Sequence, residues 1–196
     1  MATQLALTGT LPSIQRADLA QDSLASYPIP LTQLRVWDAL QTNLPGTAAA
    51  DDLGLIGGTF GSASPAVRTS DAKASTTTQR ARLPVPLPPE YVSAQRVRIR
   101  LHAGMVTTIS DGTATVDVEA YKSDKEAGIG SDLCITAATS INSLTDADRD
   151  FDLTASGLVA GDVLDVRITI AITDTATATA VIGQIGSVER LCDIKG

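Results

Sequence analysis

Hydrophobic and polar residues alternate along four segments in the C-terminal part of the chain. In 97–105, apolar residues occupy every second position, with arginines and a histidine between them. The same alternation returns in 113–121, 162–172 and 175–182. A period of two is typical of a half-buried β-strand, because successive side chains point to opposite faces of a sheet. In the first three segments, the residues predicted to face inward are Val97, Ile99, Leu101, Ala103, Met105, Ala114, Val116, Val118, Ala120, Leu164, Val166, Ile168 and Ile170.

Shorter apolar runs predict further strands at 133–136, 150–154 and 188–193, with an edge strand at 82–87. Together these make about eight strands and no long helix. The predicted fold class is all-β, an antiparallel two-sheet sandwich. Eight strands are typical of a jelly roll, and an immunoglobulin-like sandwich of seven strands is the nearest alternative.

Two changes in composition coincide near residue 83. All nine prolines lie in the first 89 residues. Residues 1–82 carry six basic and six acidic groups, whereas 83–196 carry nine and sixteen. A joint shift of this kind marks a domain boundary. We therefore expect an extended N-terminal arm with short helices over 1–82 and the sandwich domain over 83–196.

Two short helices are predicted within the arm, at 18–24 and from a cap at Thr32 onward. The second would place three apolar side chains on one face. Such a helix is too short to be stable alone, so its stripe needs a partner surface, with the tryptophan as anchor. Farther along, the glycine-rich stretch 57–61 reads as a flexible linker. The predicted partner-binding stripe is Leu34, Trp37 and Leu40.

Composition narrows the classes of function. Hydrophobic residues make up 43% of the 196 residues, enough for a core and too many for a disordered chain. The net charge of −7 argues against nucleic-acid binding, which needs clustered basic residues. No apolar run is long enough to cross a membrane, and no leader-like segment opens the chain, so we expect a cytoplasmic origin. Cys134 and Cys192 are expected to be free, buried thiols, with a single bridge as the alternative.

Candidate chemistry is sparse. His102 lies on the polar face of a predicted strand, without a recognisable nucleophile motif, so we expect a surface histidine and no enzyme. A run of four aspartates at every second residue offers the oxygen ligands that Ca²⁺ prefers. A calcium loop of the EF-hand type needs Gly and Glu where this run has Phe151 and Gly157, so an acidic strand face is the favoured interpretation and no cofactor is expected. These aspartates are Asp146, Asp148, Asp150 and Asp152.

A basic stripe is formed by Arg96, Arg98 and Arg100 at alternate positions. Such a stripe usually pairs with acidic residues on a neighbouring strand, and Asp117 and Glu119 are the partners expected here. The alternatives are a docking face for an acidic partner and, less favoured because no aromatic residues interleave, a nucleic-acid site.

Three strings resemble structural proteins of tailed-bacteriophage particles: LPVPLPPEY at 83–91, VRIRLHAGM at 97–105 and LVAGDVLDVR at 158–167. They are most similar to the jelly-roll decoration, or cement, proteins of capsids. The resemblance implies a virion protein on the capsid surface, assembled in the host cytoplasm. It also implies binding to the major capsid protein or neighbouring virion subunits, and a homo-oligomer, commonly a trimer.

A different class of function is also compatible with a sandwich of this size. Carbohydrate-binding or tail-associated adhesive modules bind sugars through exposed aromatic side chains. The low aromatic content of 3% disfavours that alternative, as does the separation of Tyr91 and Tyr121 from any other aromatic residue in sequence.

Overall fold

The chain folds as two antiparallel β-sheets packed face to face, which confirms the predicted sandwich. The computed structural model describes residues 23–123, 129–177 and 179–195. Within these ranges there is no α-helix, only one turn of 3₁₀ helix at Leu31–Gln33. The strands are β1 (Ser23–Ile29), β2 (Gly54–Ile56), β3 (Ala66–Arg68), β4 (Thr76–Pro86), β5 (Val97–Met105), β6 (Thr113–Ser123), β7 (Thr139–Ser140), β8 (Ala147–Leu153), β9 (Val163–Thr173) and β10 (Gly183–Ile194).

One sheet has six strands and the other has four. The six-stranded sheet runs in the order β2-β3-β10-β5-β8, and β1 also pairs with β10, beside the C-terminal part of that strand. The four-stranded sheet runs β4-β9-β6-β7. Strands β4, β6 and β9 are each 11 residues long and pair along their whole length. The long pairings fix the register and therefore decide which side chains face inward.

The core lies between the two sheets and follows the predicted alternation. Every side chain predicted to face inward from 97–105, 113–121 and 162–172 is buried. Ile99 of the six-stranded sheet and Ile168 of the four-stranded sheet have no exposed surface. Burial of one apolar face from each sheet supplies the main driving force for this architecture.

The expected division at residue 83 falls inside β4, which pairs with β9 from Thr76 to Pro86. The described residues before position 83 are part of the sandwich: they supply β1, β2, β3 and the first part of β4, and six of their side chains lie in the shared core. Prolines at 84 and 86 are compatible with a strand here because β4 is at the edge of its sheet. Charge and proline content changed within one unit, so they did not mark a boundary. The six core side chains are Leu34, Leu44, Leu53, Val67, Ala72 and Ala81.

The expected helix after Thr32 is not formed. Leu34 has an extended backbone, and Arg35 exchanges backbone hydrogen bonds with Arg82 at the edge of β4. The free edge of β4 offers backbone partners that a short helix lacks, so the extended conformation prevails. Of the other predicted helix, positions 18–22 lie outside the described residues, and its last two residues begin β1.

The alternating segment 175–182 is a connection rather than a strand over its described part. Its predecessor Asp174 accepts hydrogen bonds from the backbone N–H groups of Asp111 (2.9 Å) and Ala74 (3.1 Å). These donors lower the pKa of the Asp174 carboxyl group. An aspartate held by N–H groups of this kind ends a strand and starts a turn. The alternating alanines and threonines of 175–182 bury too little apolar surface to favour a strand over this turn.

Both cysteines are free thiols, as predicted, although only Cys192 is fully buried. Burial raises the pKa of both, to about 11 for Cys134, so both are protonated near neutral pH. Among the described residues, no helix has the length and apolar character needed to span a membrane.

Candidate functional site

Two residues of the basic stripe, Arg98 and Arg100, lie on the outer face of β5 and are paired with the acidic face of β8. Arg98 donates from Nε to Asp152 Oδ1 at 2.7 Å and from Nη1 to Asp150 Oδ2 at 2.8 Å. Arg100 donates from Nε to Asp150 Oδ1 at 2.7 Å, and its guanidinium group also lies 3.5 Å from Asp148. We call these five residues the acid–base ladder. The hydrogen bonds from Arg100 lower the pKa of the Asp150 carboxyl group.

The expected partners of the stripe were wrong. Asp117 and Glu119 belong to β6 in the other sheet, where Glu119 forms an ion pair with Arg167. The arginines and aspartates of the ladder come from separate parts of the sequence, and only the register of β5 against β8 brings them opposite one another. Arg96 lies just before β5 and is exposed.

The run of aspartates is therefore an acidic strand face, the favoured interpretation. Asp148, Asp150 and Asp152 contact arginines, while Asp146 accepts a hydrogen bond from Gln184 Nε2 at 2.8 Å. Within the described ranges, no three His, Cys, Asp or Glu side chains are arranged to hold a metal ion.

His102 extends the ladder by one position. Its Nδ1 lies 2.8 Å from Asp148 Oδ1, and Ser187 of β10 is directly opposite it on the other side. Among the described residues, no side-chain hydrogen bond joins Ser187 to His102. The row of Ser, His and Asp is thus a ladder of surface side chains and lacks the nucleophile–base contact of a catalytic triad.

Trp37 packs against the outer face of the four-stranded sheet. The guanidinium carbons of Arg80 and Arg167 lie 5.2 and 5.6 Å from its ring centroid, within cation–π range. Its Nε1–H donates to Asp51 Oδ2 at 2.7 Å. The predicted stripe is not formed, because Leu34 is in the core, Trp37 is half-buried on the sheet and Leu40 is exposed.

A shallow pocket of about 200 Å³ lies beside Trp37. Tyr121 of β6 reaches this pocket, so the fold brings together two aromatic residues that are 84 positions apart. Arg82 and Asp165 form an ion pair at its wall. We call this the Trp37 pocket; its lining residues are Trp37, Arg82, Tyr121, Ile129, Asp165 and Arg167.

A second surface is built by the loop between β2 and β3. Thr59 and Ala63 exchange backbone hydrogen bonds of 3.0 and 2.8 Å, which close a tight turn. Gly58 and Gly61 have φ angles of +69° and +79°, which favour glycine at both positions. Phe60 is at the tip and its side chain is fully exposed.

An apolar groove adjoins this loop. Pro30, Leu31, Leu55 and Pro65 line it, and its volume is about 500 Å³. We call Phe60 and these four residues the Phe60 surface. The stretch 57–61, predicted from the sequence to be a flexible linker, instead contains part of this hydrogen-bonded turn. The useful signal was the spacing of Gly58 and Gly61 around one aromatic residue, which is typical of a tight turn that displays a side chain.

No protein-family model matches the chain. No curated protein matches it. Among solved structures, a xylan-binding module of CBM15 is similar at 12% identity and a TM-score of 0.41, covering 87% of this chain and 97% of that one. The CBM22-1 xylan-binding domain of Paenibacillus barcinonensis Xyn10C is similar at 11% identity and a TM-score of 0.39, covering 89% and 97%. A structure of promiscuous carbohydrate-binding modules of the β-sandwich superfamily is similar at 9% identity and a TM-score of 0.37, covering 88% and 58%.

Proposed function

We propose that this chain is a virion structural protein, a capsid decoration protein that binds coat subunits and stabilises the shell of a bacteriophage. The observation that carries the proposal is the Phe60 surface: a fully exposed aromatic side chain on a tight turn, next to an apolar groove. Exposed apolar side chains beside an apolar groove are typical of a surface that another protein covers.

The energetics favour a protein partner for this surface. Phe60 gains nothing from its own chain, since its side chain is fully exposed. Burial of a phenylalanine in a partner contributes about 1.5–3 kcal/mol. The hydrogen-bonded turn restrains the backbone around Phe60 before binding, so little backbone conformational entropy is lost on association.

The remaining features are compatible with a non-catalytic lattice protein. The arginines and aspartates of the acid–base ladder pair within the chain, and the net charge of −7 keeps free subunits apart in solution. We propose the major capsid protein or neighbouring virion subunits as partners, a homo-oligomer with a trimer favoured, and a capsid-surface location after assembly in the host cytoplasm.

The test is whether the chain is present in purified particles. Mass spectrometry of virions banded on a density gradient should detect it in a fixed ratio to the coat protein. Removal of the chain should lower the temperature at which the particles release their genome. Particles that lack the chain, or whose stability does not depend on it, would contradict the proposal.

A second function, glycan binding, is favoured by one observation, the Trp37 pocket. Trp37 and Tyr121 provide aromatic surface, and the charged side chains of Arg82 and Asp165 offer hydrogen-bond partners for hydroxyl groups. A glycan array separates the two proposals. Reproducible sugar binding that is lost in Tyr121→Ala and kept in Tyr91→Phe would favour this second function.

A further inference from the structure

Arg190 interrupts the apolar inward face of β10. It lies between Val188 and Cys192, whose side chains are both buried, and directly opposite Tyr27 of β1. Arg190 itself is only 8% exposed. A charged residue at an inward strand position breaks the alternation that holds elsewhere in the sandwich, and such breaks concentrate at functional sites.

The buried guanidinium group has no anionic partner among the described residues. Its Nη1 donates to the Pro86 carbonyl oxygen, and its central carbon lies 4.3 Å from the centroid of the Tyr27 ring. Its Nε is buried and has no hydrogen-bond partner, and the guanidinium group also contacts the Cys192 thiol. No carboxylate of the described chain lies within ion-pair distance, and Glu90 acts on it only through space.

The neighbouring titratable groups do not supply the missing charge. Burial raises the pKa of the Cys192 thiol and of the Tyr27 hydroxyl group, so both are neutral near pH 7. Burial also lowers the pKa of Arg190 below its usual range. A buried charge without a counter-charge is costly, and a bound anion would remove that cost.

Arg190 lines a pocket of about 180 Å³ between β1 and β4. A water molecule occupies about 30 Å³, so the pocket has room for a carboxylate with one or two methylene groups. Proline has no N–H, which leaves Arg190, Gln33 and the Tyr27 hydroxyl group as the side-chain donors, and the proline rings keep the walls rigid. The prolines that line it are Pro28, Pro30, Pro84 and Pro86.

We propose that this pocket binds a carboxylate group, with Arg190 as the ligand that carries the positive charge. The planar fork of an arginine matches the two oxygens of a carboxylate. The carboxylate belongs either to an acidic side chain of a neighbouring polypeptide or to a small free acid. The inference does not depend on the virion role.

The test is an NMR titration of the full chain, which follows the Nε–H signal of Arg190 at constant ionic strength. Propionate should shift this signal saturably. Propionamide, which has the same shape without the charge, should bind about tenfold more weakly or not at all. An unmoved signal, or equal shifts with both probes, would overturn the proposal without any variant.

Two further experiments test which kind of molecule supplies the carboxylate and whether Arg190 binds it. If the capped tripeptide acetyl-Gly-Glu-Gly-amide shifts the signal and its Gln analogue does not, the ligand is an acidic side chain. If only propionate does so, the ligand is a small acid.

Shifts that propionate induces at Tyr27 and Gln33 should disappear in Arg190→Gln and persist in Arg96→Gln, a matched change at an exposed arginine. Persistence of these shifts in a folded Arg190→Gln variant would assign the binding elsewhere.

Discussion

The acid–base ladder and the Phe60 surface differ in whether their side chains have partners within the fold. In the ladder, each arginine finds a carboxylate on the neighbouring strand at 2.7–2.8 Å. On the Phe60 surface, an aromatic side chain has full exposure and no partner in its own chain. The side chains of the ladder are thus paired within the fold, whereas Phe60 remains exposed and is the side chain that we propose a partner covers.

The contrast shows that unusual composition is a poor guide to a binding surface until the register is known. The basic stripe stands out in the sequence, yet Arg98 and Arg100 already form ion pairs with aspartates of β8. The glycine-rich stretch looks structureless and holds the best candidate contact. What matters is whether a side chain has a partner in the folded chain, which depends on long-range pairing.

The largest effect on stability is expected from a change in the core behind the acid–base ladder. Ile99→Ala, behind the ladder, should lower the free energy of unfolding by roughly 2–5 kcal/mol, because it leaves a cavity in a fully buried layer. Thr177→Ala, at an exposed position, should change it by less than about 0.5 kcal/mol. Urea denaturation of the two variants measures both values. A larger loss of stability for Thr177→Ala than for Ile99→Ala would contradict the placement of Ile99 in the core and of Thr177 on the surface.

Trp37→Ala should cost about 1–3 kcal/mol, because the ring packs on Arg80 and Arg167 and donates to Asp51. Trp37→Phe keeps an aromatic ring for the stacking and loses the Nε1–H donor and part of the ring surface, so its cost should be smaller. Thermal melts of both variants test this. If Trp37→Ala melted like the wild type but bound particles more weakly, Trp37 would contribute to partner binding and not to the stability of the fold.

Asp150→Asn should cost about 1–2 kcal/mol, because Asp150 accepts from both Arg98 and Arg100. Asp38→Asn, at an exposed carboxylate, is the matched control and should be nearly neutral. The arginines lower the pKa of Asp150, so its contribution is complete above the ordinary aspartate pKa of about 3.9. It is lost as the pH falls through the lower folded value.

The difference between wild type and Asp150→Asn should therefore shrink as the pH is lowered from 5 toward ~3. Denaturation curves recorded across this range provide the measurement. A difference that stays constant would mean that the ladder does not stabilise the fold through the charge of Asp150.

Strand positions were predictable where one face is buried along a long pairing. The segment 97–105 matches β5 residue for residue, and its inward face is correct. The alternation at 175–182 failed because Asp174 binds backbone N–H groups and turns the chain. The three-residue spacing after Thr32 failed because the edge of β4 pairs with Arg35.

The candidate sites were less predictable than the strands. The Trp37 pocket depends on Tyr121, which reaches it only because β6 and β9 are neighbours in the four-stranded sheet. Arg190 could have been noticed, since it is the one charged residue at the inward positions of 188–192. Its missing counter-charge is visible only in the packing around it.

The central claim is that the Phe60 surface binds a neighbouring virion subunit, and binding of Phe60→Ala to particles tests it most directly. The variant should melt like the wild type, within about 0.5 kcal/mol, because its side chain is exposed. It should bind particles that lack the protein at least about thirtyfold more weakly, as expected for the loss of a 2 kcal/mol contact. Ile135→Ala, which is 69% exposed elsewhere on the molecule, should bind like the wild type. Undiminished binding of Phe60→Ala would contradict the account.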